Sequence, residues 1–254
     1  MDLELTDKYV IVTGASRGIG RAITEKFYEE GSHLLLIARD EEPLSDLKES
    51  LDRQGTSSVH TLSCDVASAS APDTIDRKLQ EIFPHVDVLV NNAGATIRGG
   101  DTDSNWRQSF ELNVMAPLRI METLRESLLK SEHASVINIS SIFGREHGGP
   151  PQYQSSKAAQ IALSNSYARN WASDGIRINN IAPGSIAFEG GSWGNRLVED
   201  PEGMAEFVRN EIPGGRFGKP EEVADAVVWL ASKRASWVIG STIPVDGGQS
   251  RSAI

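Results

Sequence analysis

The chain has 254 residues, of which 39% are hydrophobic, and its formal net charge is −10 at pH 7. The acidic net charge disfavours a general binder of nucleic acid or anionic membranes. The first residues are acidic, and no apolar run in the sequence approaches about 18 residues, so we expect a cytoplasmic protein with no membrane span. One cysteine, Cys64, excludes an intrachain disulfide, and five histidines far apart in the chain give no reason to expect a metal site.

Seven short apolar runs are predicted strands, and segments with helical spacing separate most of them. The runs cover residues 8–13, 33–38, 58–64, 86–91, 135–140, 176–181 and 242–247. This alternation predicts an α/β fold in which a doubly wound, seven-stranded parallel sheet is covered by helices on both faces. Since no linker interrupts the alternation, we expect a single domain over residues 1–254. Phe188, Trp193, Met204 and Phe207 favour an ordered lid over a disordered linker at 184–219.

The first predicted strand ends in TGASRGIG, residues 13–20, which places Gly14, Gly18 and Gly20 between a strand and a helix. Glycines there permit a tight turn and close approach of the backbone to a pyrophosphate. The free N–H groups and the dipole of the helix start favour an anion. The alternative is that glycine merely fits the turn, but the neighbouring strands favour a dinucleotide site.

The end of the second predicted strand favours NADP(H) over NAD(H). Arg39 follows Ala38 where dinucleotide folds recognise the adenosine ribose, and an arginine there accommodates a 2′-phosphate. Arg17 in the glycine loop is expected to converge on the same phosphate. Asp40 keeps the alternative open, because a shift of one residue would present a carboxylate to the 2′-hydroxyl. Arg39 is otherwise read as a solvated surface charge.

Tyr153 and Lys157 lie four residues apart near the start of a predicted helix, so both side chains can point into one cleft. An ammonium about 4 Å from a phenol contributes on the order of 4 kcal/mol at an effective dielectric of 20, which predicts a lowered pKa for Tyr153 unless desolvation opposes it. A phenol tuned in this way can exchange a proton with an alcohol oxygen. Ser141, after the fifth strand, is placed to hold a carbonyl oxygen beside it.

Six motifs in order resemble the short-chain dehydrogenase/reductase family in its compact single-domain form, similar to its 3-oxoacyl-ACP reductase-like members. The motifs are TGASRGIG, NNAG at 91–94, NISS at 138–141, YQSSK at 153–157, PG at 183–184 and VDGG at 245–248. They cover nearly the whole chain. The resemblance implies a Rossmann-type fold, a single catalytic domain that binds a dinucleotide, and a homotetramer or homodimer.

The resemblance also implies a role for each matching residue. Tyr153 is the general acid/base, Lys157 lowers its pKa and binds the nicotinamide ribose, and Ser141 positions the substrate oxygen. Asn113 bends its helix and holds a water that links the lysine to solvent, while Asn91 holds the central strands together and borders the ribose. The implied catalytic residues are Asn113, Ser141, Tyr153 and Lys157. The implied cofactor-binding residues are Gly14, Ser16, Arg17, Gly18, Ile19, Gly20, Arg39, Asp65, Val66, Asn92, Ala93, Gly94, Tyr153, Lys157, Pro183 and Gly184, with Asp65 on the adenine amino group.

The chain departs from the family pattern in three places. The interval from Ser141 to Tyr153 is one residue shorter than usual, so Ser140 is a minor alternative. Phe188 stands where the family often has a threonine that grips the nicotinamide carboxamide. Ser185, Ser192 or backbone groups are expected to replace that threonine. Arg145 and His147 are unusual polar residues in a segment that borders substrate in this family.

The leading interpretation is an NADP(H)-dependent reductase of ketones, with oxoacyl thioesters among the candidate substrates. The alternatives are an NAD(P)-dependent dehydrogenase of a sugar or polyol and a non-catalytic nucleotide-binding sensor, which the intact catalytic residues disfavour. An enoyl reductase of this superfamily would space its tyrosine and lysine wider. Aromatic residues of the lid suit an apolar or ring-shaped substrate. Arg98, Arg145 or Arg196 could instead meet a carboxylate or phosphate.

Overall fold

The structure is a computed structural model, and it describes residues 2–55 and 57–252. All seven predicted strands are present: β1 (Tyr9–Thr13), β2 (His33–Ala38), β3 (Val59–Ser63), β4 (Val88–Asn91), β5 (Ser135–Ile139), β6 (Arg177–Pro183) and β7 (Thr242–Val245). They form one sheet in the order β3-β2-β1-β4-β5-β6-β7, and every pair is parallel. The predicted α/β fold with a seven-stranded parallel sheet is therefore confirmed.

Helices alternate with these strands along the chain. They are α1 (Gly18–Glu29), α2 (Glu41–Asp52), α3 (Ala71–Ile82), α4 (Thr102–Phe110), α5 (Ala116–Leu128), α6 (Pro151–Trp171), α7 (Ser192–Glu199), α8 (Pro201–Glu211) and α9 (Pro220–Ala231). A π-helix over Glu111–Met115 joins α4 to α5. Five of the helices have proline at one of their first two positions, where its missing N–H has no partner in any case. Within the described residues, no helix combines the length and apolar character needed to cross a bilayer.

The sheet is buried on both faces. On one face Val12 packs in a cluster with Phe27 of α1 and Val227 of α9. On the other face Ile11 packs in a cluster with Ile120 of α5. Successive strand residues point to opposite faces, so a strand covered on both sides needs apolar residues throughout. This is why the strands appear in the sequence as continuous apolar runs.

The insertion at 184–219 contains the short helices α7 and α8. Its base is closed where Ile186 pairs with Gly218, and the Ala187 N–H donates to the Gly218 carbonyl at 3.0 Å. The insertion follows β6 at the carboxyl edge of the sheet. At this edge the strand order reverses between β1 and β4, which is where open parallel sheets bind ligands.

Candidate active site

A glycine loop connects β1 to α1 at the carboxyl edge of the sheet. Gly14 and Gly18 have φ angles of +65° and +54°, a backbone conformation that favours glycine. A Cβ atom on Gly20 would lie 2.0 Å from the Gly14 carbonyl oxygen, so only glycine allows the turn to close this tightly. Arg17, the N-cap of α1, makes no side-chain capping bond. The first N–H groups of α1 therefore remain available to an anion at this edge.

Asn92, which follows β4, is hydrogen-bonded to the backbone of the glycine loop. Its side-chain amide donates to the carbonyl oxygens of Thr13 and Gly14, both at 3.0 Å. The Thr13 hydroxyl oxygen in turn accepts from the backbone N–H groups of Asn92 and Ala93 at 3.1 Å. Asn92 was expected to bind the cofactor, and the structure places its amide on the loop backbone. Sequence reasoning missed Thr13, although its place directly before the first glycine was a usable signal.

The ends of β2 and β3 lie beside the glycine loop. Arg39 and Arg17 are both exposed, and the Ser63 hydroxyl donates to the Arg39 carbonyl at 2.8 Å, which fixes the backbone just after β2. Asp40 is also exposed and makes no capping bond to α2. The Asp65 carboxylate accepts from the backbone N–H of Ala67 at 3.1 Å in the turn after β3. The residues expected to contact the adenosine half of the cofactor thus lie at the same edge of the sheet. Asp40, the alternative to Arg39, lies at that edge too.

Ser141 and Tyr153 meet where β5 and α6 approach each other. Ser141 follows β5 and starts a short 3-10 turn, and its hydroxyl shares a hydrogen bond with the Tyr153 phenol. Ser140 instead donates its hydroxyl to the Lys157 carbonyl at 3.3 Å, away from the phenol. Of the two candidate serines, Ser141 is therefore the one that is hydrogen-bonded to Tyr153.

Lys157 is buried, with 3% of its surface exposed. Its Nζ donates to the Ile139 carbonyl at 2.8 Å and to Gln160 Oε1 at 3.2 Å, and it lies 5.9 Å from the centroid of the Tyr153 ring. Burial lowers the pKa of Lys157 from 10.5 to about 7. The Nζ is therefore directed mainly at neutral oxygens, and desolvation favours the neutral amine over the charged ammonium.

The expected lowering of the Tyr153 pKa is wrong for this structure. Burial raises the pKa of the phenol above its ordinary value, and the hydrogen bond to Ser141 opposes that rise. An ammonium about 4 Å from the phenol would lower the pKa, but the lysine points to the Ile139 carbonyl and to Gln160. Desolvation therefore decides the direction. The side chain carries its proton at neutral pH.

Asn113 lies in the π-helix and connects three segments around the lysine. Its amide donates to the Ala95 carbonyl at 3.1 Å and to the hydroxyls of Ser109 and Ser156 at 3.3 and 3.2 Å, while its Oδ1 accepts from the Ala95 N–H at 3.2 Å. A Cβ atom on Gly94 would lie 2.9 Å from that Oδ1 and 3.1 Å from the lysine Nζ. Glycine there lets both polar groups approach the end of β4.

Phe188 lies against the glycine loop. A Cβ atom on Gly18 would come within 2.5, 2.6 and 2.8 Å of three atoms of the Phe188 ring, so the ring covers that glycine. Ser185 is buried and Ser192 begins α7, and neither offers a hydroxyl bond to this loop among the described residues. The loop fits a pyrophosphate in its backbone geometry, but a phosphate that came as close to Gly18 as this Cβ would have to displace the phenyl ring.

The expected substrate walls form two groups. Trp193 stacks on Phe207 with ring centroids 4.8 Å apart, and Arg196 lies 5.0 Å above the Trp193 ring, so this arginine is held by the insertion itself. Arg98 and His147 are exposed, in the segments that follow β4 and β5. Glu146 was not among the expected residues. Its carboxylate accepts from the backbone N–H groups of residues 251 and 252 at 2.6 and 2.8 Å and so attaches the C-terminal segment to the segment after β5.

Comparisons with known proteins agree with this geometry. A family model described as "Enoyl-(Acyl carrier protein) reductase" matches residues 14–250. The 3-oxoacyl-[acyl-carrier-protein] reductase FabG of Escherichia coli (strain K12) is 33% identical over 245 residues, which cover 95% of this chain and 96% of that protein.

Solved structures give the same likeness. L-sorbose reductase from Gluconobacter frateurii, complexed with NADPH and L-sorbose, superposes on this chain with a TM-score of 0.90 at 31% identity. The match covers 99% of this chain and 100% of the reductase chain. A 3-oxoacyl-[acyl-carrier protein] reductase with bound NAD from Brucella melitensis has a TM-score of 0.86 at 27% identity, covering 99% of this chain and 95% of its own.

Proposed function

This chain belongs to the short-chain dehydrogenase/reductase family and is an oxidoreductase that acts on carbonyls, and from this we propose that it is an NADP(H)-dependent reductase of ketones. The observation that carries the proposal is the hydrogen-bonded Ser141 and Tyr153 pair beside the buried Lys157. The four-residue spacing from Tyr153 to Lys157 favours carbonyl over enoyl chemistry, although the matching family model is described by an enoyl reductase.

The side chains divide the proton chemistry among them. A bound nicotinamide supplies the hydride for the carbonyl carbon. The Ser141 hydroxyl holds the carbonyl oxygen, and the Tyr153 phenol gives that oxygen its proton. Because burial keeps the phenol protonated at neutral pH, the resting side chain is already the acid that reduction requires. The Lys157 ammonium, held by the Ile139 carbonyl and Gln160, opposes the negative charge left on the phenolate.

The preference for NADP(H) rests on two arginines at one edge of the sheet. Arg17 and Arg39 are exposed and follow adjacent strands, and neither guanidinium forms an ion pair within residues 2–55 and 57–252. Guanidinium groups suit a 2′-phosphate because of their charge and their paired donors. One similar structure contains NADPH and another contains NAD, so measured affinities for both cofactors are part of the test.

A sugar or polyol substrate is the second candidate. Its support is the full-length likeness to a structure that contains L-sorbose. The segments after β4 and β5 carry exposed polar side chains, Arg98 and His147, which suit a hydroxylated substrate better than an acyl chain. The stacked aromatic pair Trp193 and Phe207 suits either a sugar ring or an apolar body.

A substrate panel tests both candidates. Ketoses, simple ketones, 3-oxoacyl thioesters and the matching alcohols are assayed by the change in NADPH and NADH absorbance. We expect turnover of at least one carbonyl class, faster with NADPH than with NADH. Binding of NADPH without turnover of any class would contradict a reductase and favour a nucleotide-binding sensor.

We also propose that the chain works in the cytoplasm as a homotetramer or homodimer. Trp237, with 96% of its surface exposed, and the partly exposed Ile239 next to it give an apolar surface that a second copy could cover. Light scattering of the purified chain measures the assembly directly. A strictly monomeric species over the working concentration range would contradict this proposal.

A further inference from the structure

Gln160 lies one helical turn after Lys157 on α6, and it is as buried as the lysine, with 1% of its surface exposed. Its Oε1 accepts a hydrogen bond from the lysine Nζ at 3.2 Å, and the other acceptor on that Nζ is the Ile139 carbonyl at 2.8 Å. Lys157 forms no ion pair within the described residues. Two neutral oxygens, one from β5 and one from α6, therefore hold its charged end.

The other half of the Gln160 amide is unsatisfied. Its Nε2 is buried and has no hydrogen-bond partner among the residues that the structure describes. A buried donor without a partner lowers stability, whereas an apolar side chain of similar volume at the same place would not. Packing alone therefore does not explain a glutamine at this position. The hydrogen bond that its Oε1 accepts from the lysine Nζ is the feature that a leucine or methionine would lack.

We propose that Gln160 is a positioning residue that holds the Lys157 ammonium between β5 and α6 through its side-chain oxygen. The proposal rests on the proposed catalytic role of Lys157. A carbonyl oxygen stabilises an ammonium more than a neutral amine, so this contact favours the charged form against the desolvation around it. It also directs the Nζ along a fixed line, because α6 and β5 each contribute one acceptor.

The remaining surroundings of the lysine are neutral. On α6 the titratable group facing the lysine is Tyr153, whose ring centroid is 5.9 Å from the Nζ. The π-helix contributes the amide of Asn113, and the end of β4 contributes Gly94, whose added Cβ would lie 3.1 Å from the Nζ. Removing the Gln160 oxygen therefore leaves the Ile139 carbonyl as the remaining acceptor among the described residues.

Two readings of Gln160 predict opposite results for Gln160→Leu. If the amide only contributes to the packing and hydrogen bonding of α6, the substitution lowers the free energy of unfolding and leaves the titration of Lys157 unchanged. If the amide positions the lysine, the substitution removes an unsatisfied donor, so stability is kept or increased, while Lys157 loses its proton at a lower pH. The free energy of unfolding and the pKa of Lys157, measured together, therefore distinguish a structural role of Gln160 from a positioning role.

The experiment titrates Lys157 in the full chain without substrate or cofactor. Lysine side chains are labelled with ¹³C at Cε and followed by NMR from pH 5 to pH 11, and Lys157→Met identifies the resonance. We expect Gln160→Leu to lower the pKa of Lys157 by about one pH unit, a tenfold increase in its acid dissociation constant. Gln160→Glu, which adds a negative charge, raises that pKa, and Gln160→Met serves if the leucine variant fails to fold.

Ser164→Ala is the matched control. Ser164 is buried one turn further along α6 and accepts from Asn138 at 2.8 Å, without a contact to Lys157. Its substitution leaves the lysine titration unchanged. An unchanged lysine titration in both Gln160→Leu and Gln160→Glu would overturn the inference. The NMR titration of Lys157 needs no turnover. An absence of ketone reduction would therefore contradict the proposed function without deciding whether Gln160 positions the lysine.

Discussion

Replacing Lys157 with methionine makes the protein more stable at neutral pH and removes part of its pH dependence. Lys157 has a pKa of about 7 in the folded chain against 10.5 in its ordinary state, because it is buried. Between these two values the unfolded chain binds a proton that the folded chain releases. Stability therefore rises with pH in this window and is lowest below pH 7.

The size of the effect follows from the two pKa values. The proton held by the unfolded chain lowers the free energy of unfolding by about 4 kcal/mol at pH 7 and by about 2 kcal/mol at pH 9. Methionine fills a similar volume without this penalty, but it removes the two hydrogen bonds to the Ile139 carbonyl and Gln160, each worth about 1 kcal/mol. Lys157→Met is then about 2 kcal/mol more stable than the wild type at pH 7 and about equal to it at pH 9.

Urea unfolding, followed by tryptophan fluorescence at one fixed protein concentration, measures this difference at pH 7, 8 and 9. Lys130→Met is the control, because Lys130 is exposed and its substitution leaves the pH dependence unchanged. A stability difference between Lys157→Met and wild type that stays constant from pH 7 to pH 9 would refute the argument, since it would mean that the buried lysine keeps its ordinary pKa.

Three further predictions concern the cofactor and the acid. Arg39→Asp shifts the ratio of NADH to NADPH affinity toward NADH by at least tenfold in fluorescence titrations, and an unchanged ratio contradicts the phosphate role. Phe188→Ala strengthens NADPH binding and speeds its association in stopped-flow fluorescence, because the ring no longer covers Gly18; equal association rates contradict that displacement. Ser141→Ala raises the pKa of Tyr153, measured by ultraviolet absorbance titration against the Tyr153→Phe variant, because it removes the hydrogen bond that lowers it; an unchanged titration contradicts the contact.

Local sequence signals predict most of the fold. Apolar runs bounded by turn residues give the strands, and the strand and helix alternation gives the parallel sheet. The glycine loop was predictable because each glycine has a local reason, as the positive φ angles of Gly14 and Gly18 show. The four-residue spacing of Tyr153 and Lys157 likewise puts both on one side of α6.

The electrostatics of the site could not be predicted in the same way. Which oxygen a lysine reaches depends on the distance between β5 and α6, and the spacing of Tyr153 and Lys157 carries no information on that distance. The direction of the Tyr153 pKa therefore came out opposite to expectation. The ring of Phe188 on Gly18 joins residues 170 positions apart, so no local pattern indicates it.

Proton donation by Tyr153 to the carbonyl oxygen is the step on which the proposed reaction depends, and the Tyr153→Phe variant removes the donor. The variant is compared with the wild type for NADPH-dependent reduction of the best carbonyl from the substrate panel, and NADPH binding is measured on the same samples. We expect kcat to fall by about a thousandfold, as is typical for loss of a general acid, with NADPH affinity retained. Reduction by Tyr153→Phe within a few fold of the wild-type rate would contradict it.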